Sequence, residues 1–298
     1  MKRVDSPALR LEGVRRSFGA KNVLRGVTGT IPRGRVVGLL GRNGEGKSTL
    51  FQVMLDMLAA DSGEIEVLGM RPDGGGRIRE HVGYIPERPS FHSFMSLGEV
   101  LEFRSRFFPR WKTMKAYALS QQFGLDLATP VRGASKGTLG KLAWVCAAAH
   151  EPELFFLDEP TSGLDSLVRE NILNHLVQEL QKDGRTILVA NHHMDELAGI
   201  LDEVWVLADG EIVARHEVER LRSEACRITG RVKDDAPAAR LWPVPPLHAE
   251  GPLVEWVVFE KELEERILGS GLLATTERKS LPVQESLKHL LAVGGNHA

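Results

Sequence analysis

Cysteine is scarce in this chain. Only two occur, Cys146 and Cys226, far apart and without CxxC spacing. Such a pattern argues against a disulfide framework or a cysteine-based zinc site and favours a reducing compartment. Cys146 lies in an apolar stretch with helical periodicity, so we expect it in the core.

Long apolar runs are also missing. No stretch approaches the roughly 18 consecutive apolar residues of a membrane-spanning helix. Residues 1–7 lack the apolar segment of a secretion signal. We therefore expect that any membrane role would need a partner to supply the membrane part.

Charge of one sign is not in excess. The formal net charge is −2 and 26% of the residues are charged, which argues against a generally basic nucleic-acid binder. The 298 residues suffice for one large α/β domain and a small second one. No internal repeat or low-complexity segment is present.

A glycine-rich segment follows a short apolar run at residues 36–40. Residues 41–49 read GRNGEGKST and satisfy G-x-x-x-x-G-K-[ST]. Strand, glycine-rich turn and helix together predict a phosphate-binding loop, whose glycines at 41, 44 and 46 let N–H groups point at phosphate oxygens. Lys47 is expected to reach the β- and γ-phosphates, and Ser48 to place its hydroxyl on Mg²⁺. The alternative, a glycine turn with an incidental lysine, fits the flanking strand and helix poorly.

The helix after this loop has an apolar face that extends to Met57 and Leu58, and we expect it to end near residues 61–63. A second apolar run, at 154–157, ends in Asp158 and Glu159. A strand that is apolar on both faces belongs inside a parallel sheet, where ligands gather at the carboxyl ends. Asp158 is then placed to hold Mg²⁺, and Glu159 to accept a proton from an attacking water. Taken alone, the run could also be a strand that ends in solvated acids.

Three further segments are less specific. Asp165, in the sequence TSGLD, could contribute to the site or only cap the following helix. His192 and His193 follow an apolar run at 186–190 and could bind a phosphate or lie on the surface. Ser135 precedes an amphipathic helix whose free N–H groups could bind an anion, or it could act as a cap alone.

The order of these motifs resembles the ATP-binding subunit of ABC transporters over roughly residues 8–220. The likeness is closest to exporter-type ATPases with an SKGM-like signature. It implies an α/β P-loop NTPase core with an antiparallel β subdomain, a helical subdomain at about 88–145 and a small C-terminal α+β appendage. The expected ATPase domain is 1–222, and 223–298 form an accessory region.

The resemblance also assigns residues to roles. Ser135 and Gly137, in the signature at 134–138, would touch phosphate in the site of a partner subunit. Glu159 would be the catalytic glutamate, Asp165 would lie at the dimer interface, and His192 would be the switch histidine, preferred over His193 because Glu196 follows it by four positions. Phe18 would stack on adenine and Glu87 would reach the metal. The phosphate loop would comprise Gly41, Asn43, Gly44, Glu45, Gly46, Lys47, Ser48 and Thr49.

Several residues depart from the commonest family pattern: Ala134, Lys136 and Thr138 in the signature, and Arg42, Glu45 and Glu87 in the nucleotide site. Glu87 replaces the usual glutamine and changes how Mg²⁺ and water would be held. Glu45 places a carboxylate inside the phosphate loop, which is unexpected unless its side chain points away from the phosphates.

The function implied by the resemblance is Mg²⁺-dependent ATP hydrolysis by a homodimer or heterodimer that drives a separate integral membrane permease, in the exporter direction. The chain would be cytoplasmic and peripheral on the inner face of the membrane, with the permease docked near Phe91, Phe94, Met95 and Leu97. The alternative is a soluble ABC-type ATPase in DNA repair or translation. Such proteins usually have a coiled-coil insertion, zinc-binding cysteines or tandem cassettes, none of which is visible, so no nucleic acid partner is expected.

Overall fold

The computed structural model describes residues 6–162, 169, 172–173, 184–191, 194–233, 242 and 244–293. Its strands, in chain order, are β1 Leu9–Phe18, β2 Lys21–Ile31, β3 Val36–Leu40, β4 Ser62–Val67, β5 Val82–Ile85, β6 Leu154–Asp158, β7 Thr186–Ala190, β8 Glu203–Ala208, β9 Glu211–Glu217, β10 Cys226–Val232, β11 His248–Glu250, β12 Leu253–Val258 and β13 Leu273–Ser280. The helices that we label are α1 Lys47–Met54, α2 Leu97–Ser105, α3 Thr113–Gln122, α4 Lys136–Ala148, α5 Val218–Glu224, α6 Lys261–Leu268 and α7 Val283–Val293.

The central element is a six-stranded sheet in the order β5-β6-β7-β3-β8-β9. Its strands run parallel except β9, which forms an antiparallel hairpin with β8. The strands β3, β6 and β7 are buried at every position, as their continuous apolar sequences predict. Because these strands are parallel, their carboxyl ends meet at one edge, where the polar residues that follow them come together.

A second sheet, in the order β2-β1-β4, is antiparallel and packs beside α1. Residues 97–148 contain the helices α2, α3 and α4, as expected for a mostly helical region. Ser96 and Glu99 form a reciprocal capping box that starts α2. Ser135 caps α4, and α4 is buried along most of its length, with Cys146 in the core.

The C-terminal residues form a four-stranded antiparallel sheet in the order β11-β12-β10-β13. One face packs on α6 through a small cluster that includes Cys226, Trp256 and Ile267. Helix α7 instead buries Val283, Leu287 and Leu290 in the main core, against the 3₁₀ turn Met194–Leu197.

The first helix is shorter than its apolar pattern predicts. It ends at Met54 rather than near residue 61, because Asp56 adopts a left-handed backbone conformation with φ of 55°. Met57, expected on the buried face, is 57% exposed. Among the described residues, no helix has the length and apolar character needed to cross a membrane.

Candidate functional site

The phosphate loop lies between β3 and α1, at the carboxyl edge of the six-stranded sheet. Lys47 is the first residue of α1 and only 7% exposed. Its ammonium donates hydrogen bonds to the carbonyls of Gly41, at 2.6 Å, and Arg42, at 3.3 Å. The loop thus holds a buried cation at the point where the N–H groups of α1 are free to bind an anion.

Gly46 explains why the loop needs glycine immediately before the lysine. Its φ is 103°, and a Cβ there would lie 3.1 Å from the carbonyl oxygen of Val23 and 3.0 Å from the side chain of Leu24. Both the backbone conformation and the approach to β2 therefore favour glycine.

Asp158 and Glu159 follow β6 and face the loop. The Ser48 hydroxyl and the Asp158 carboxyl line the same cavity and interact there. Burial raises the pKa of the Asp158 carboxyl above its ordinary value, and the neighbouring Glu159 and Glu87 carboxylates raise it further. The Ser48 hydroxyl lowers this pKa and so opposes the rise. The Asp158 carboxyl, the Ser48 hydroxyl and the Lys47 ammonium therefore lie at the same cavity.

Glu159 is 7% exposed, and its Oε1 lies 3.9 Å from the Lys47 ammonium. Its φ is 52°, and its N–H donates to the Ala190 carbonyl at 2.8 Å. A left-handed conformation in a residue with a side chain is uncommon and is often found at functional sites. Here it turns the chain just after β6 and leaves the carboxylate beside Lys47.

These groups line one cavity of about 400 Å³. Two side chains expected there from the resemblance, Phe18 and Glu87, also line it. Phe18 is 47% exposed, and the Arg16 guanidinium lies 5.0 Å from its ring centroid. The complete lining is Phe18, Lys21, Val23, Arg42, Asn43, Gly44, Gly46, Lys47, Ser48, Thr49, Glu87, Asp158 and Glu159.

Sequence reasoning missed two of the lining residues, Lys21 and Val23, and gave Arg42 no role within the predicted phosphate loop. Lys21 and Val23 lie on β2, whose pairing with β1 brings Lys21 opposite Phe18. The alternation of β2 could have indicated a strand, but only the pairing register shows that it forms a cavity wall. Arg42 lies within the phosphate loop, and its guanidinium donates to the Ala292 carbonyl at 3.3 Å.

Four predicted site residues do not line this cavity. The Gly41 carbonyl accepts a hydrogen bond from the Lys47 ammonium, and the Glu45 carboxylate accepts one from the Asp209 N–H. Ser135 and Gly137 lie at the start of α4, where the Ser135 hydroxyl accepts a hydrogen bond from the Thr138 N–H at 3.1 Å. His192 and Asp165 lie outside the described residues.

The oxygen donors in the cavity fit a Mg²⁺ ion. Ser48, Glu87 and Asp158 all line this cavity. Mg²⁺ is usually held by one or two carboxylates together with waters and the phosphates of a substrate. In the part of the chain that the structure describes, no group of three His, Cys, Asp or Glu side chains could hold a metal by itself.

Buried strand, glycine-rich loop, helix and adjacent carboxylates define a P-loop nucleoside triphosphatase. The family described as ABC transporter matches residues 24–162. The Nod factor export ATP-binding protein I of Ralstonia nicotianae is 30% identical over 247 residues, which cover 79% of this chain and 76% of that protein. The probable multidrug ABC transporter ATP-binding protein YbhF of Escherichia coli is 33% identical over 217 residues.

Solved structures show the same relationship. An ATP-binding subunit of an ABC transporter matches with a TM-score of 0.66 and 28% identity, over 72% of this chain and 92% of that one. The cbiO1 protein of Clostridium perfringens, part of the cbiONQ transporter complex, matches with a TM-score of 0.62 and 26% identity, over 74% and 92%.

The chain belongs to the family of ABC transporter ATP-binding proteins, and it is an ATP-binding ATPase cassette. The match with YbhF covers 70% of this chain but only 37% of the length of that relative. The expected α/β P-loop fold is confirmed by the ATP-binding cassettes among the solved structures.

Proposed function

We propose that this chain is the ATP-hydrolysing subunit of an ABC transporter, that it dimerises around ATP, and that it drives a separate membrane permease. The observation that carries this proposal is the convergence of Lys47, Ser48, Asp158 and Glu159 on one cavity at the carboxyl edge of the sheet. Each residue type suits one part of phosphoryl transfer.

In the proposed reaction, Lys47 neutralises negative charge that develops on the transferred phosphoryl group. Glu159, whose carboxylate lies 3.9 Å from the Lys47 ammonium, orients the attacking water and accepts its proton. Phe18 offers its exposed ring to the adenine. Mg²⁺, held by Ser48 and Asp158 with Glu87 close by, would supply further positive charge at the β- and γ-phosphates.

The proposed dimer follows from the position of the signature residues. Ser135 and Gly137 do not line the cavity of their own chain, so they are available to complete the site of a second subunit. We expect a homodimer, with a heterodimer as the alternative. Light scattering of the Glu159→Gln protein should show dimers at saturating ATP and monomers without it. A monomer under both conditions, with the permease also present, would rule out the composite site.

The proposed permease-docking surface is a cluster of aromatic rings on α2 and the segments that flank it. Phe94 is 80% exposed and stacks on His92, which also contacts the edge of Phe103, and Phe103 contacts Phe107. Exposed apolar patches of this kind mark interaction sites. Leu97 is fully buried, so the expectation that it takes part in docking is wrong. Phe91 and Met95 pack partly against the core.

Charged substitutions test this surface. Phe94→Glu and Phe107→Glu should abolish recruitment to membranes that contain the permease and should leave ATP hydrolysis unchanged. Val213→Glu is a matched control, because Val213 is also apolar and 43% exposed but lies on β9. Recruitment that survives both phenylalanine substitutions, or co-purification with DNA or ribosomes, would contradict the transport assignment.

The remaining parts of the proposal rest on the relatives. We propose export because two relatives carry the names multidrug transporter and Nod factor export protein. The permease would hold the chain at the cytoplasmic face of the membrane. Residues 1–222 would form the ATPase domain and 223–298 an accessory region.

A further inference from the structure

Glu45 lies inside the phosphate loop, yet its carboxylate does not line the nucleotide cavity. Its Oε2 accepts a hydrogen bond of 2.6 Å from the backbone N–H of Asp209. Asp209 lies in the turn between β8 and β9, far from the loop in sequence. The contact therefore ties the phosphate loop to this distant turn.

The turn itself is held against β2. Asp209 and Gly210 have φ values of 50° and 75°, and the Gly210 carbonyl accepts a hydrogen bond of 2.8 Å from the Arg25 N–H. A Cβ on Gly210 would lie 2.3 Å from the Val23 carbonyl oxygen. The turn thus contacts the strand so closely that only glycine fits at this position.

The same strand forms the opposite wall of the nucleotide cavity. Lys21 and Val23 line that cavity, and the Val23 carbonyl also lies against Gly46 of the phosphate loop. The loop, the turn and β2 therefore form a closed ring of contacts. The hydrogen bond from the Asp209 N–H to Glu45 is the side-chain contact that closes this ring.

We propose that Glu45 is a positioning residue that fixes the phosphate loop relative to the β2 wall, and so sets the affinity of the cavity for ATP. The alternative is that Glu45 acts only as a negative charge near the phosphates, where it would weaken ATP binding. The two possibilities predict opposite effects on affinity. The proposal rests on ATP binding at this cavity.

The test compares Glu45→Ala with Glu45→Gln. Alanine removes both the charge and the acceptor, whereas glutamine removes the charge and keeps an acceptor oxygen. We expect Glu45→Ala to raise the KM and the dissociation constant for ATP about tenfold, as loss of a charge-assisted hydrogen bond does, and to change kcat less than about twofold. Glu45→Gln should recover most of this loss.

Gly210→Ala tests the ring from its other side. The added methyl group would push the turn away from Val23, so this variant should also raise the dissociation constant for ATP. Combined with Glu45→Ala, it should add less than the sum of the two single effects, because both break the same ring. Thermal unfolding of each variant checks that it is folded.

The proposal is overturned if Glu45→Ala and Glu45→Gln tighten ATP binding equally, if neither changes it, or if kcat falls while KM stays constant. ATP binding by the unsubstituted chain is measured first with a fluorescent ATP analogue. Failure to bind at that stage would contradict the nucleotide site itself, whereas binding followed by an unaffected Glu45→Ala variant would contradict only the role of Glu45.

Discussion

The two largest sheets of the molecule place their polar side chains in opposite ways. In the six-stranded sheet, Lys47, Asp158 and Glu159 are buried together at the edge where apolar strands end. Two arginines of the four-stranded C-terminal sheet instead form ion pairs with neighbouring helices: Arg227 pairs with Glu285 of α7 at 2.7 Å, and Arg278 pairs with Glu264 of α6. Buried charges that converge on one cavity indicate chemistry, whereas charges already paired one to one point to no ligand.

Cavity size alone would have chosen the wrong sheet. A cavity of about 650 Å³ lies against the C-terminal sheet and is lined by residues that include Arg231, His248 and Glu277, whereas the nucleotide cavity measures about 400 Å³. The comparison teaches that the site is recognised by which groups converge and not by the volume they enclose.

Among the variants that compare the two sheets, the largest expected effect comes from removing the buried cation. Lys47→Ala should lower kcat/KM for ATP hydrolysis by about 10³-fold, equivalent to roughly 4 kcal/mol, because it removes the buried ammonium that faces the transferred phosphoryl group. Glu277→Gln, in the larger cavity of the other sheet, is the control and should leave hydrolysis unchanged. Steady-state phosphate release measures both variants. A larger loss for Glu277→Gln than for Lys47→Ala would reverse the comparison.

A smaller effect concerns the boundary between the two regions. Leu287 of α7 is 1% exposed and belongs to the main core, whereas Ile267 of α6 is fully buried in the small C-terminal cluster. ATP should stabilise the unfolding transition of the nucleotide-binding core. Leu287→Ala should lower the free energy of that transition by about 3 kcal/mol. Ile267→Ala should affect that transition less. Denaturant unfolding with and without ATP distinguishes them, and the opposite order would place α7 outside the nucleotide core.

The smallest effect depends on pH. His150 is 1% exposed, stacks on Phe108 at 4.2 Å, and its Nε2 lies 3.3 Å from the Val82 carbonyl. Burial lowers the pKa of His150 to about 4. Between pH 6.5 and pH 4, the histidine is therefore protonated in the unfolded chain but stays neutral in the folded chain.

Stability from this histidine is therefore present at neutral pH and is lost as the pH falls from about 6.5 towards 4. We expect a loss of about 2 kcal/mol between pH 7 and pH 5 that is absent in His150→Gln, which can still donate to Val82. Urea unfolding of both proteins across this range measures the difference. Parallel curves for the two proteins would show that His150 titrates normally.

Much of the nucleotide region could be predicted because its signals are local. The apolar runs at 36–40, 154–157 and 186–190 lie in strands, and the glycine-rich segment forms the loop between β3 and α1. The predicted end of α1 was wrong, because the backbone of Asp56 leaves the helical conformation although the apolar periodicity continues.

The rest depends on contacts between distant residues. Glu45 accepts its hydrogen bond from Asp209, in the turn after β8, and no local sequence pattern could identify this contact. The strands β10 and β13 were also missed. The β13 sequence LATTERKS is exposed at nearly every position, so it lacks the alternation of polar and apolar residues that marks a half-buried strand.

The most direct test of the account is a comparison of ATP binding and turnover in Glu159→Gln and in the unsubstituted chain. Glutamine fills the same space but cannot accept a proton from the attacking water. The dissociation constant for ATP should stay within about threefold, while the single-turnover rate of hydrolysis should fall by about 10²–10⁴-fold. Unchanged turnover in Glu159→Gln, with ATP bound, would contradict the assignment of this carboxylate and the mechanism built on it.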